Sequence, residues 1–183
     1  MQSDSLSLRL SGIRPFQVME IQRRALELEA QGQSIVHMEI GQPDFPAPHA
    51  ALEAAKRAID QNSLGYSDAL GLSVLRSGLS AYYAKRFDCR IPPSRIGVTA
   101  GASAGLLLAL AAILNRGDEV LVGDPGYPCY RNFVLAFEGI PKSIPTSAES
   151  RFQITLEMVK AHWTSRAKAV ILASPSNPTG TMI

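Results

Sequence analysis

The chain has 183 residues, 46% of them hydrophobic, which is enough for a domain of ordinary size with a buried core. Its 18 basic and 16 acidic residues give a net charge of +2, which excludes recruitment to nucleic acid or a membrane surface by charge alone. Two cysteines, Cys89 and Cys129, exclude a disulfide framework and match no zinc pattern, so a reduced, cytoplasmic setting and no metal site are expected.

The first half of the chain predicts helices joined by ordered loops. Residues 1–15 lack the apolar core of a signal peptide. Apolar residues then recur at helical spacing over residues 16–32, which predicts an amphipathic helix that ends on Gly32. Prolines place a loop at residues 41–48, and further helices are expected at about 48–60 and 72–83.

The second half predicts strands that alternate with helices. The strands are expected at residues 95–99, 119–123, 140–145 and 168–173. The helices are expected near residues 103–115, 128–138 and 155–164. This alternation is typical of βαβ units, so we expect an α/β fold: a mostly parallel sheet with flanking helices, preceded by an N-terminal helical segment. The apolar run at 104–114 is too short to span a membrane and predicts a helix buried in the interior.

The loop after the first predicted strand is suited to an anion. In parallel sheets, ligands bind at the carboxyl ends of the strands. Here "TAGASAG" brings small residues and the hydroxyl of Ser103 to the start of a helix, whose free N–H groups favour a group such as phosphate. The same small residues would also serve plain strand-to-helix packing.

Tyr127 and Asn177 follow two later strands. In "GDPGYPCY" a tight turn presents Tyr127, whose flat ring either stacks on a flat ligand or caps the core. In "ASPSNPTG" the amide of Asn177 can donate and accept hydrogen bonds, and a plain structural turn is the alternative. An anion site, an aromatic ring and an amide at three strand ends together predict a site for a planar phosphorylated cofactor.

A dinucleotide-binding oxidoreductase is a rival interpretation of the same unit. Asp124 follows the next strand at about the distance expected for the acidic residue that binds a nicotinamide cofactor. Gly101 and Gly105 do not form the G-x-G-x-x-G pattern, however, so this interpretation is the weaker one.

The sequence resembles the class I and II aminotransferases, the pyridoxal-phosphate enzymes of fold type I. The resemblance runs from about residue 13 to the end of the chain. It rests on five motifs in the family's order: "IGQPDFPAP", "GYSDALGLSVLR", "VTAGASAGLLLAL", "RGDEVLVGDPGYPCY" and "KAVILASPSNPTG". It implies a homodimeric enzyme that uses pyridoxal 5′-phosphate to transfer an amino group from an amino acid to a 2-oxo acid.

The resemblance also implies which residues bind the cofactor. The Ala102 backbone and Ser103 would hold its phosphate, and Gly101 would allow the close approach. Tyr127 would stack on the pyridine ring. Asn177 would hydrogen-bond the phenolic oxygen of the ring and take part in substrate binding.

Further roles follow from the same resemblance. Gly41 would line the pocket for the substrate carboxylate, and Tyr66 would reach across a dimer interface to the neighbouring subunit's phosphate. Tyr130 would lie behind the stacking tyrosine. Resemblance and tight turns together predict that the peptide bonds before Pro125 and Pro178 are cis.

No lysine of the chain stands where the family keeps its Schiff-base lysine, which falls well beyond an "NPTG" loop. The lysines present are expected in helices or at strand positions away from the site: Lys56, Lys85, Lys142, Lys160 and Lys168. We therefore expect the N-terminal part of an aminotransferase, inactive by itself. Conversion of an amino acid to its 2-oxo acid faster than by free cofactor would contradict this.

The resemblance divides the chain into two parts. Residues 1–45 would form an N-terminal arm and a segment of the small domain, and residues 46–183 an incomplete large cofactor-binding domain. Two other functions are compatible with the same residues: a lyase that uses pyridoxal phosphate, and a non-catalytic cofactor-binding or regulatory module.

Overall fold

A computed structural model describes residues 6–61 and 64–183 of the chain. They form two compact units: one joins the described residues up to Glu39 with Leu106–Ile183, and the other is Ile40–Gly105. The predicted domain boundary at residue 45 stays a prediction. The elements in chain order are α1 (Gln17–Ala30), α2 (His49–Asp60), α3 (Ser73–Phe87), α4 (Gly101–Ile113), β1 (Glu119–Asp124), α5 (Cys129–Ala136), β2 (Ile140–Pro145), α6 (Leu156–His162) and β3 (Ala167–Ile171), with short 3-10 helices at Leu8–Gly12 and Pro93–Arg95.

Three parallel strands form the sheet of the first unit. Their spatial order is β2-β1-β3, so β1 lies in the centre and pairs with both neighbours. Parallel strands need crossover connections, and α5 connects β1 to β2 while α6 lies in the connection from β2 to β3. The α/β fold with a parallel sheet, flanking helices and N-terminal helices is confirmed.

The two faces of β1 are buried against different helices, because side chains alternate along a strand. Val120 and Val122 pack on one face with Leu110 of α4 and Val134 of α5. Leu121 points to the opposite face, where it packs with residues of β2 and α6. Burial on both faces explains the unbroken apolar run of this strand.

The prediction of a strand at residues 95–99 is wrong. Pro93–Arg95 form a 3-10 helix, Ile96 after it is extended, and residues 96–99 belong to no helix or strand. The Val98 N–H donates to the Leu70 carbonyl at 3.0 Å, but a strand needs a ladder of such bonds. None of the described segments pairs with residues 95–99 in a sheet, so an apolar, extended sequence is not sufficient here.

Helix α4 is more exposed than its sequence predicts. It is apolar on nearly every side, the composition that predicts a buried helix. Of the described residues of α4, only Leu110 is buried, whereas Leu108 is 64% and Ile113 46% exposed. The helix contacts the sheet along one side, and its other apolar sides are largely uncovered. No described helix is both long and apolar enough to cross a membrane.

A buried carboxylate lies at the start of β1. Glu119 is 5% exposed and accepts hydrogen bonds from the Thr164 hydroxyl (2.7 Å) and the Arg166 guanidinium (2.9 Å). The Lys142 Nζ lies 3.5 Å from the same carboxylate. The Thr164 hydroxyl and the two cations hold the pKa of Glu119 below its ordinary value, although burial opposes them. Lys142 is thus engaged at the amino end of the central strand.

Replacing Glu119 with glutamine is expected to lower the urea midpoint of unfolding at pH 7, because Lys142 and Arg166 lose their buried partner charge. A carboxyl with a lowered pKa stabilises the fold above its unfolded-state pKa of about 4.3. That stabilisation is lost as the pH falls through the lower folded-state pKa, so the gap between variant and wild type should close in acid. Urea titrations at several pH values measure it.

The matched control is Glu149→Gln, which neutralises an exposed carboxylate in the same unit. Its urea midpoint should stay close to that of wild type at every pH. A Glu119→Gln gap of the same size at pH 7 and in acid would contradict the role given to the charge.

Candidate functional site

Two loops leave the carboxyl edge of the sheet. One follows β1 and contains Tyr127, and the other follows β3 and contains Asn177. Because β1 and β3 pair in parallel, their carboxyl ends meet at the same edge. The peptide bonds before Pro125 and Pro178 are cis, as predicted, and the bond before Pro175 is cis as well. The structure thus places two of the predicted site residues at one edge of the sheet.

The ring of Tyr127 is held by two aromatic neighbours. Its centroid lies 5.8 Å from that of Phe16 and 5.3 Å from that of Tyr130, and both contacts are close to perpendicular. Edge-to-face contacts of this kind favour one orientation of the ring plane. Tyr130 in turn packs against the core around Val134. Packing therefore sets the position of the Tyr127 ring.

The neighbouring side chain of Cys129, together with burial, raises the pKa of Tyr127 to about 12. Cys129 is a free, half-buried cysteine. Tyr127 is neutral at physiological pH, as a tyrosine of ordinary pKa is, so its ring can approach an anionic ligand without charge repulsion.

The loop after β3 closes on itself. The Ser176 N–H donates to the Thr181 carbonyl (2.9 Å), and the Gly180 N–H donates to the Ser176 carbonyl (2.7 Å). Gly180 has a φ of +68°, which glycine adopts without steric cost. Asn177 lies within this closed loop and is exposed, and no described residue forms a hydrogen bond with its side chain. Its amide is available to a ligand.

The predicted phosphate-binding residues occupy the first turn of α4. Gly101 begins the helix with a φ of +81°, and the Thr99 hydroxyl donates to its carbonyl at 2.8 Å. Ala102 and Ser103 follow and are exposed. The Gly101 N–H donates to the Thr99 carbonyl at 2.8 Å, whereas the first-turn N–H groups of Ala102 and Ser103 have no partner within the helix. Together with the Ser103 hydroxyl they form a set of donors whose chemistry fits a phosphate.

Tyr66 and Gly41 lie in the unit Ile40–Gly105. Tyr66 is fully exposed. Gly41 lies in an exposed loop, where an added Cβ would meet no atom within 4 Å. Both positions are accessible to a ligand or a second subunit, and their roles stay predictions.

A family model for aminotransferase class I and II matches residues 33–183. The chain belongs to this family. The matched region includes all three strands and the loops that carry Tyr127 and Asn177. It also includes Gly41, Tyr66 and the first turn of α4.

Relatives named as aminotransferases are similar to almost the whole of this aminotransferase chain. A valine–pyruvate aminotransferase from Mycobacterium tuberculosis is 39% identical over 99% of this chain and 46% of its own length. A (5-formylfuran-3-yl)methyl phosphate transaminase from Methanocaldococcus jannaschii is 35% identical over 97% of this chain and 46% of its own length. The aminotransferase chain spans about half the length of the curated relatives that it matches.

Solved aminotransferase structures share the fold. An aminotransferase from Mycobacterium tuberculosis superposes with a TM-score of 0.91 at 39% identity, over 99% of this chain and 46% of its own. An aspartate aminotransferase from Thermus thermophilus, solved with maleate, superposes with a TM-score of 0.90 at 32% identity, over 97% of this chain and 46% of its own. At these identities the likeness extends beyond the fold to the family.

A polar cavity beside the Tyr127 loop of the aminotransferase chain escaped prediction. It has a volume of about 530 Å³, and Arg14, Asp124, Arg131 and Asn132 are among the residues that line it. The Asn132 amide donates to the Arg14 carbonyl at 3.1 Å, which ties α5 to the segment before α1. The two arginines are distant in sequence and belong to no motif, so no sequence signal connects them.

Proposed function

We propose that these residues form the N-terminal part of an aminotransferase that depends on pyridoxal 5′-phosphate and transfers an amino group from an amino acid to a 2-oxo acid. The observation that carries the proposal is similarity over 97–99% of the chain to proteins named as aminotransferases. The complete enzyme would be a cytoplasmic homodimer. The chain alone would be inactive, because the lysine that binds the cofactor covalently is expected outside these residues.

The chemistry of the described residues fits this cofactor. In the exposed first turn of α4, the Ala102 backbone and Ser103 would bind the phosphate through N–H groups and a hydroxyl, and Gly101 would allow the close approach. Tyr127 would pack against the ring. The Asn177 amide would donate a hydrogen bond to the phenolic oxygen. When bound, the cofactor supplies an electron sink that allows the α-proton of an amino acid to leave.

Other residues would act on the substrate and the dimer. Gly41, which carries no side chain, would leave room for the substrate carboxylate, and Asn177 would contribute to substrate binding. Tyr66 is fully exposed and would contact the phosphate bound by the neighbouring subunit. Tyr130 would keep Tyr127 in place through the ring contact between them.

Pyridoxamine 5′-phosphate is a suitable probe of this proposal, because it has no aldehyde and does not react with the lysines of the chain. We expect wild type to bind it and Asn177→Ala to bind it about tenfold more weakly, the effect of one lost hydrogen bond. Equilibrium dialysis measures both affinities. Gln33→Ala, at an exposed position, is the control and should bind like wild type.

Two results would contradict the proposal: a wild-type chain that does not bind the probe, and an Asn177→Ala variant that binds it as tightly as wild type. Reduced nicotinamide dinucleotide is added as a competitor, because the oxidoreductase interpretation predicts that it binds near Asp124. Displacement of the probe would favour that interpretation.

A further inference from the structure

Gln153 is a buried polar residue outside the site described above. It lies between β2 and α6 and is 8% exposed. Burial of an amide lowers the stability of the fold unless its hydrogen bonds are satisfied, so the hydrogen-bond partners of this side chain indicate its structural role. Its own backbone N–H donates to the Ser150 carbonyl at 3.0 Å, which anchors the residue within its turn.

The Gln153 amide joins the two ends of the loop after β3. Its Nε2 donates to the Thr181 carbonyl (2.8 Å) and lies 3.1 Å from the Thr181 hydroxyl. Nε2 also donates a longer hydrogen bond, of 3.4 Å, to the Ala173 carbonyl. Ala173 stands just before the segment "SPSNPTG" and Thr181 just after it. A single buried amide therefore holds both ends of the loop that carries Asn177.

The same carbonyl of Thr181 also accepts the Ser176 N–H. The hydrogen bonds of the Gln153 amide to Ala173 and Thr181, which we call the Gln153 clamp, therefore share the Thr181 carbonyl with the bonds that close the loop. The Asn177 side chain has no hydrogen bond to any described residue, so nothing local fixes its direction. Its position depends on the backbone of the loop, and that backbone depends on Gln153.

We propose that Gln153 is a positioning residue for cofactor binding: it holds the loop of residues 174–181 so that the Asn177 amide meets the ring of the cofactor. Gln153 acts through the loop, at the ring side of the ligand. This inference rests on the proposed function, because it assumes that Asn177 binds the ring.

Gln153→Met tests the inference, because methionine keeps much of the volume and removes the amide donors. Hydrogen exchange of residues 174–182, measured without ligand, should become about tenfold faster, since the loop loses its clamp. Binding of pyridoxamine 5′-phosphate should weaken by about tenfold. Gln33→Met makes the same change at an exposed position and should alter neither quantity.

Inorganic phosphate separates positioning from a general loss of structure. Its proposed site is the first turn of α4, whereas the hydrogen bonds of the Gln153 side chain go to Ala173 and Thr181 at the two ends of the Asn177 loop. Gln153→Met should therefore bind inorganic phosphate as wild type does while it loses affinity for pyridoxamine 5′-phosphate. Loss of both affinities would mean that the residue is merely structural and would overturn the inference.

The remaining outcomes are also decisive. If Asn177→Ala weakens binding of pyridoxamine 5′-phosphate but Gln153→Met matches Gln33→Met in exchange and affinity, the inference fails and the proposed function stands. If wild type does not bind the probe, or Asn177→Ala binds it normally, the proposed function fails and the inference fails with it.

Discussion

Replacing Leu121 with alanine is expected to lower the free energy of unfolding by about 3 kcal/mol. Leu121 is fully buried in the central strand, where it packs with Ile144 of β2 and with Met158 and Val159 of α6. Neighbours held by two strands and a helix cannot collapse fully into the space, so a cavity adds to the lost transfer energy. Urea unfolding followed by circular dichroism measures the change.

Leu156→Ala is the matched control, because Leu156 is 61% exposed at the start of α6. Its effect should stay within about 0.5 kcal/mol. Equal losses for the two variants would mean that the sheet is not the stable core of this unit.

Replacing Gly126 with alanine is expected to lower the free energy of unfolding by about 2 kcal/mol and to weaken binding of pyridoxamine 5′-phosphate. A Cβ at Gly126 would overlap the carbonyl oxygen of Gly123. That oxygen belongs to the main chain, so no change of rotamer relieves the overlap and the turn must open. Tyr127 is the next residue, so its ring would move from its place between Phe16 and Tyr130.

Gly12→Ala is the control for this variant, because its Cβ would lie 3.5 Å from Leu135, an ordinary contact. Near-ultraviolet circular dichroism reports the aromatic cluster, and urea unfolding reports stability. If both glycine variants match wild type in both measurements, the turn before Tyr127 is wider than the structure shows.

The helices and the three paired strands follow from local sequence patterns. Apolar periodicity and turn residues are properties of neighbouring positions, and β1, β2 and β3 lie close to their predicted bounds. Residues 95–99 show the limit of such patterns, because a strand exists only where a distant segment pairs with it. The prediction that α4 is buried was wrong for a similar reason. An apolar composition indicates that a helix would be more stable when buried, but burial requires neighbouring elements that pack on it.

The part of the candidate site that depends on the order and direction of the strands could be predicted from the sequence. Asn177 and Tyr127 were expected at strand ends, and the parallel pairing of β1 with β3 brings those ends to one edge. The contacts of Gln153 and Phe16 could not be predicted, because they depend on side-chain packing between segments far apart in sequence. In "RFQIT", a polar residue between two apolar ones was the one available hint for Gln153.

The central place of β1 also sets an order for assembly on the ribosome. Of the three strands β1 comes first in the chain, and it pairs with both of the others, so it is synthesised before both of its partners. Until β2 has left the exit tunnel, Val120, Leu121 and Val122 have no neighbouring strand, although they form one of the best buried stretches of the folded unit. The nascent chain thus carries an apolar segment without cover during this interval, and a chaperone that binds extended apolar chains would find its target there.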